Sequence, residues 1–298
     1  MDFLPFIKAV GTGQKRNRDL SNSEMKYAMQ SILKEEVSPE QVSAFLLGWR
    51  VKGESTEELQ GALEAFDDFI KYKPIKNSIE FGYPYDGKVK NPYLIFLTTQ
   101  YLQKFDIEVS LHGDMLQPAK AGTTLKDICD QYNLPTNMYF MDRKEFFPEL
   151  HKLSIVRNKL GIRTSLNTLE KLLGITKSDT AIVGAFHKPF IEKYITLFKD
   201  RYKRLIVIKG NEGTPEIFSK CSVIIVENDQ ITELKIDPMD FEINYNRSKQ
   251  RISPDESLSL IQNPSSELLK LAKFNAAVIL FLINRVTSIN VGLKQMED

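Results

Sequence analysis

Cysteine, histidine and tryptophan are scarce in this chain, whose 298 residues include 2 Cys, 3 His and 1 Trp. Cys129 and Cys221 stand far apart, and His112, His151 and His187 are equally scattered. Neither set has the close spacing of a zinc site or a disulfide framework. An excess of one charge is also lacking, since 40 Lys and Arg face 39 Asp and Glu. No global field marks a nucleic-acid or membrane partner, and any such role must come from local clusters. Long hydrophobic runs are missing too. The strongest, residues 276–283, falls short of the roughly 20 apolar residues needed to cross a bilayer and reads as a buried helix. The start, Met1-Asp2-Phe3-Leu4-Pro5, has no basic segment leading into an apolar stretch. A secretory leader is therefore not expected, and the chain reads as cytoplasmic with no membrane partner.

What is present is enough chain for a sizeable core and about two domains. Three helix starts follow one another: Ser21-Asn22-Ser23-Glu24, Ser38-Pro39-Glu40-Gln41 and Ser55-Thr56-Glu57-Glu58. In each, a serine hydroxyl can accept an orphan backbone N–H while the later Glu or Gln reaches back. Pro39 falls at the first helical position, where its missing donor costs nothing. Behind these starts, Met25, Ala28, Met29, Ile32 and Leu33 form one apolar stripe, and Leu59, Leu63 and Phe66 another. Residues 1–72 are thus predicted to be a small helical unit. From Pro74 onward, short apolar runs at 107–111, 138–141, 181–186, 205–208 and 222–226 alternate with helical patterns. That alternation predicts an α/β unit over 73–298 with a mostly parallel sheet. An edge strand is expected at 231–236 and a closing helix at 265–285.

Four stretches carry a resemblance: residues 41–66, Tyr85-Asp86-Gly87-Lys88-Val89-Lys90, Val156-Arg157-Asn158-Lys159-Leu160-Gly161-Ile162-Arg163-Thr164, and Lys209-Gly210-Asn211-Glu212-Gly213-Thr214-Pro215-Glu216. In this order they resemble the anthranilate phosphoribosyltransferase-like proteins of glycosyltransferase family 3. The resemblance implies the nucleoside phosphorylase/phosphoribosyltransferase fold, a small discontinuous helical domain packed on a larger α/β domain with ligands in the cleft between. The N-terminal helices would be joined in space by an insertion near 150–173, and would form a homodimer interface.

The family holds phosphoribosyl pyrophosphate on a Gly-Thr-Gly-Gly-Asp turn, because glycines let backbone N–H groups approach a pyrophosphate. Here the matching stretch keeps Gly87 and adds Lys88 and Lys90, which could meet a phosphate as point charges or simply face solvent. Of the family's Lys-His-Gly-Asn-Arg segment, His112 and Gly113 remain. His112 could equally be a neutral imidazole closing a turn near the sheet edge. Lys120 and Thr123 echo a family lysine and hydroxyl that meet phosphate. The acidic pair that binds magnesium in the family is reduced by Pro215 to Glu216 and Glu212, which implies a weakened metal site or solvent-facing glutamates. Arg157 lies where the family places an arginine on the acceptor's carboxylate, a task for which a bidentate guanidinium is suited. It could instead tie the inserted helix to an acidic neighbour.

These departures resemble a divergent TrpD-like branch whose dimers bind nucleic acid. The leading expectation is therefore a homodimer that holds single-stranded DNA or RNA by its phosphates, with little sequence preference. Lys15, Arg16 and Arg18 in the polar loop 13–19, with Lys88 and Lys90, would supply the charge. Tyr83, Tyr85 and Tyr93 could stack on unpaired bases. The alternative is a transferase passing a phosphoribosyl group to a nitrogen acceptor. Lys120 and Thr123 would then hold phosphate, Glu216 would help hold magnesium and Arg157 would bind the acceptor. Nucleoside phosphorolysis is a third option, and fold alone does not choose among them.

Overall fold

The computed structural model describes residues 2–246 and 250–297. Four helices open the chain: α1 (Leu4–Gly11), α2 (Asn22–Leu33), α3 (Pro39–Lys52) and α4 (Thr56–Asp67). Ser21 and Ser55 form the expected reciprocal capping boxes with Glu24 and Glu58. Ser38 accepts from Gln41 N at 3.4 Å, with Pro39 in the first turn of the helix. Glu58 does more than cap, since its buried carboxylate also accepts from Leu20 N at 3.0 Å and Trp49 Nε1 at 3.0 Å and meets Lys52. The stripes read from sequence pack α2 on α4, while α1 packs on α3.

The α/β part runs β1 (Ser78–Gly82), α5 (Ile95–Leu102), β2 (Glu108–Gly113), α6 (Leu125–Cys129), β3 (Met138–Asp142) and α7 (Arg143–Phe146). Helices α8 (Pro148–Leu160) and α9 (Leu166–Leu169) follow, and α8 packs back on α2 and α3. The chain then returns to the sheet with β4 (Thr180–Gly184), α10 (Lys188–Phe198), β5 (Arg204–Ile208), β6 (Cys221–Glu227) and β7 (Gln230–Ile236). It closes with α11 (Pro254–Gln262), α12 (Ser266–Leu282) and α13 (Ile289–Gln295). No helix among the described residues is long and apolar enough to cross a membrane.

The seven strands lie in the order β3-β2-β1-β4-β5-β6-β7. Pairings from β3 to β5 are parallel, and β6 and β7 add as an antiparallel hairpin. Period-two alternation assigns the faces. Ala181, Val183, Leu205 and Val207 join the helical N-terminal part and α10 in one core, whereas Ile182, Ile206 and Ile208 join α5 and α12 in the other.

The strand at 78–82 was not among those expected. Its sequence, Ser-Ile-Glu-Phe-Gly, puts a glutamate at the centre of the sheet. Glu80 is fully buried and accepts from Leu173 N at 3.0 Å, Gly174 N at 3.1 Å and Tyr202 Oη at 3.0 Å. With its lone pairs used in this way, a carboxylate is tolerated where an apolar residue would be anticipated.

Candidate active site at the junction of β1 and β4

From β1 the chain winds outward through β2 to β3, then crosses to β4 on the other side of β1. The crevice beyond the carboxyl ends of β1 and β4 is the switch point where open α/β sheets bind ligands. The loop after β1, the 116–124 segment and the turn after β5 meet there. Lys88 and Thr123 exchange backbone hydrogen bonds of 2.8 and 2.7 Å. A Cβ on Gly87 would stand 2.5 Å from the Gly122 carbonyl carbon, and Gly87 has φ of 75°. Only glycine allows the two strands of chain to lie so close.

Apart from Lys90, the basic residues of the crevice, Lys88, Lys120 and Arg163, are paired internally. Lys88 is buried, and its ammonium donates to the Glu216 carboxylate and to Pro92 O at 2.7 Å. Glu216 also accepts from Tyr83 Oη at 3.1 Å, Ile95 N at 3.0 Å and Thr214 Oγ1 at 3.2 Å. Lys120 donates to Glu212 O at 2.9 Å and lies 3.2 Å from Asp86 Oδ1, and burial lowers its pKa. Arg163 forks onto Asp86 Oδ2. The Glu212 carboxylate accepts from Val89 N at 2.6 Å, Lys90 N at 3.3 Å and Asn91 Nδ2 at 3.0 Å. The Thr123 hydroxyl is buried with no hydrogen-bond partner among the described residues.

Lys171 was not singled out from the sequence. It is buried beneath the turn after β5 and donates to Gly184 O at 2.7 Å and Gly213 O at 3.0 Å. Burial first, and then the Lys120 ammonium, brings its pKa down to about 7. The sequence signal was a lysine directly before the apolar residues Leu172 and Leu173 and close behind Leu166 and Leu169, where a charged side chain that is buried must find partners.

Several sequence-based assignments change place. His112 lies within β2, an interior strand, and not in a turn at the edge. Its Nδ1 is 2.6 Å from Tyr85 Oη, and its Nε2 is 3.4 Å from Glu80 Oε1. Gly113 ends the same strand against the Phe140 ring. Tyr83, Tyr85 and Tyr93 are all buried, so none can stack on an unpaired base. The small cavity bounded by Tyr83, Tyr85, His112 and Asp114 measures about 10 Å³, room for roughly one water.

Arg157 is also buried, held by Glu170 and by Asn167 Oδ1 at 3.1 Å, so the inserted helix is tied to an acidic neighbour. Arg18 pairs with Glu24, which lowers the Glu24 pKa to about 2. Of the proposed nucleic-acid contacts, burial removes Lys88 and pairing compromises Arg18. Lys15, Arg16 and Lys90 remain exposed and form no ion pair among the described residues.

With Glu212 seated on residues 89–91, magnesium finds no free carboxylate pair here. Both Glu212 and Glu216 spend their oxygens on protein donors, and an ammonium stands against Glu216. Among the described residues no group of three or more His, Cys, Asp or Glu could hold a metal ion.

Comparisons with known proteins agree with the fold. Relatives include an uncharacterized protein of Aquifex aeolicus, 28% identical and spanning 100% of this chain and 99% of that one. An anthranilate phosphoribosyltransferase of Caldicellulosiruptor saccharolyticus is 27% identical over 93% of this chain and 88% of its own. Among solved structures, anthranilate phosphoribosyltransferase from Saccharomyces cerevisiae in complex with PRPP and Mg superposes with a TM-score of 0.77 at 16% identity, over 99% of this chain and 92% of that one. The anthranilate phosphoribosyltransferase of Thermus thermophilus gives 0.74 at 16% identity, over 98% and 93%. At that identity the structures speak for the fold alone. The glycosyl transferase family helical bundle domain matches residues 4–70 and the family's a/b domain matches residues 124–298. Matched on both its helical and its α/β parts, the chain belongs to glycosyltransferase family 3.

Proposed function

We propose that the protein is an anthranilate phosphoribosyltransferase-like transferase that takes a phosphoribosyl donor at the β1/β4 junction. The observation that carries this is the convergence there of the 86–91 loop, Lys120 and the Glu212–Glu216 turn, from well-separated parts of the chain. In the reaction, an acceptor nitrogen bonds to C1 of the ribose as the bond from C1 to the pyrophosphate oxygen breaks. Pyrophosphate leaves with the electron pair, and the acceptor nitrogen gives up its proton. Lys120 and the N–H groups of residues 89 and 90 would stabilise the departing charge. These groups are now satisfied internally, so donor binding must exchange Glu212 and Asp86 contacts for phosphate. Arg157 is committed to Glu170 and is not offered to an acceptor carboxylate. Residues 150–173 would belong with the N-terminal helices, as the packing of α8 suggests.

Calorimetric titration with phosphoribosyl pyrophosphate, with and without magnesium, tests this reading. Binding that Lys120→Ala abolishes supports it. No heat at millimolar donor would sink it.

A second reading, nucleic-acid binding, is favoured by the exposed Lys15, Arg16 and Lys90, which form no ion pair among the described residues. For either reading a homodimer is proposed. The surface of α1 and α3 carries a groove of about 890 Å³ lined by Ile7, Val10, Leu47, Gly48 and Val51, with Val51 76% exposed. A second copy of the same helices would cover it.

A further inference from the structure

Glu212 stands out among the charged groups of the crevice because of what it occupies. Its carboxylate receives two consecutive backbone N–H groups, from Val89 and Lys90, and the side-chain amide of Asn91. Convergent N–H donors of this kind form a nest for an oxyanion, and nothing in their geometry distinguishes a carboxylate from a phosphate. Glu212 reaches them from a turn on another part of the sheet, with its own backbone at φ 56° and ψ 16°, a left-handed conformation that glutamate seldom adopts. It is only partly buried, so solvent reaches it. Its carbonyl accepts from Lys120 at 2.9 Å, which places a further cation beside the nest.

We propose that residues 89–91 form an oxyanion site whose resident occupant is Glu212, and that a phosphate or pyrophosphate group binds by displacing it. The identity of the physiological ligand rests on the transferase reading; the nest itself does not. A phosphate brings more charge than a carboxylate to the same donors, with Lys120 and the exposed Lys90 close at hand. Expulsion of Glu212 would free the tip of the 210–213 turn, which Lys171 still holds at Gly213 O, so that ligand entry and movement of the tip are one event. Affinity in the wild-type protein is then reduced by the fraction of molecules in which Glu212 is out.

The test uses inorganic pyrophosphate without metal as the probe, titrated calorimetrically into wild type, Glu212→Ala and Glu212→Gln, each checked for a native circular dichroism spectrum. Both variants should bind at least about tenfold tighter than wild type. Adding Asn91→Ala to Glu212→Ala should erase the gain. Equal or weaker binding by the folded variants overturns the proposal, as does a gain indifferent to Asn91→Ala. Should the variants not fold, amide exchange in wild type decides. Val89 and Lys90 should be protected without ligand, whereas exchange at open-loop rates overturns the site. Pyrophosphate binding that rises as expected, with phosphoribosyl pyrophosphate failing to bind any variant, would leave the oxyanion site standing and remove the transferase reading.

Discussion

Arg157 and Glu170 meet as two forks, with Nη1 2.7 Å from Oε2 and Nη2 2.9 Å from Oε1, and both side chains lie out of solvent. Arg143 reaches the same carboxylate from the other side at 2.5 Å and Asp114 at 2.6 Å. The positive charge that the family resemblance assigns to a substrate is here consumed within the protein.

Truncation of one member of this array leaves its buried charges unbalanced, since Glu170 would keep only Arg143. Arg157→Ala should destabilise the fold by about 3–5 kcal/mol, whereas the apolar pair Arg157→Met with Glu170→Met should cost less than the single change. Urea unfolding followed by the fluorescence of the buried Trp49 measures both. A single variant within about 1 kcal/mol of wild type would show the pair to be dispensable.

Lys171 predicts a pH dependence with a definite sign. Its folded pKa of about 7 lies below the ordinary lysine value of 10.5, so between these limits the unfolded chain binds more protons. Stability from this group is fully present above the unfolded pKa and is lost as pH falls toward 7. Neutral lysine keeps two N–H donors for Gly184 O and Gly213 O. Unfolding free energy should rise from pH 7 to 9 by up to about 1.4 kcal/mol per unit, and Lys171→Met should remove that contribution. An identical pH slope in the variant would contradict the assignment.

The groove between α1 and α3 predicts the assembly state. Val51→Glu should convert a dimer to a monomer in light scattering at micromolar concentration, with the secondary structure unchanged. A wild-type monomer under those conditions would refute the interface.

For nucleic acid, the informative variant combines Lys15→Ala, Arg16→Ala and Lys90→Ala, leaving out Arg18 because its loss would also disturb Glu24 and the α2 cap. Polarisation assays with unrelated single-stranded sequences should show uniform weakening. They should also show a salt slope reduced by roughly 0.7 for each lost phosphate contact. No binding by the wild type at low salt, or an unchanged slope, would eliminate this surface.

The sequence made the helical opening, the alternating strands and the extra edge strand legible because capping signals and apolar runs are local, whereas the antiparallel direction of that edge came only with the structure. β1 escaped notice because Glu80 broke its apolar pattern, and the donors that satisfy it come from residues 173, 174 and 202. The same limit governs the site. Lys88, Glu212 and Glu216 could be picked out as chemically interesting, but the pairing of Lys88 with Glu216 and of Glu212 with the Val89 N–H spans more than a hundred residues and leaves no periodic trace. Lys171 was overlooked because its partners are backbone carbonyls, which any residue type supplies.

Just past Glu216, the chain is clamped by the Asn275 side chain in α12, whose Oδ1 takes Ile217 N at 2.8 Å and whose Nδ2 donates to Ile217 O at 3.0 Å. The two glutamates of one short turn are therefore mechanically unequal. Glu216 stands beside a fixed post, while Glu212 is held by its carboxylate contacts and by the Lys120 bond to its carbonyl, one residue before Gly213, which buried Lys171 pins. A push on Glu212 would be absorbed between Gly210 and Glu212 and stopped first at Gly213, whose carbonyl Lys171 holds, and then at Ile217, so the Lys88 pair would stay shut while the tip of the turn swings.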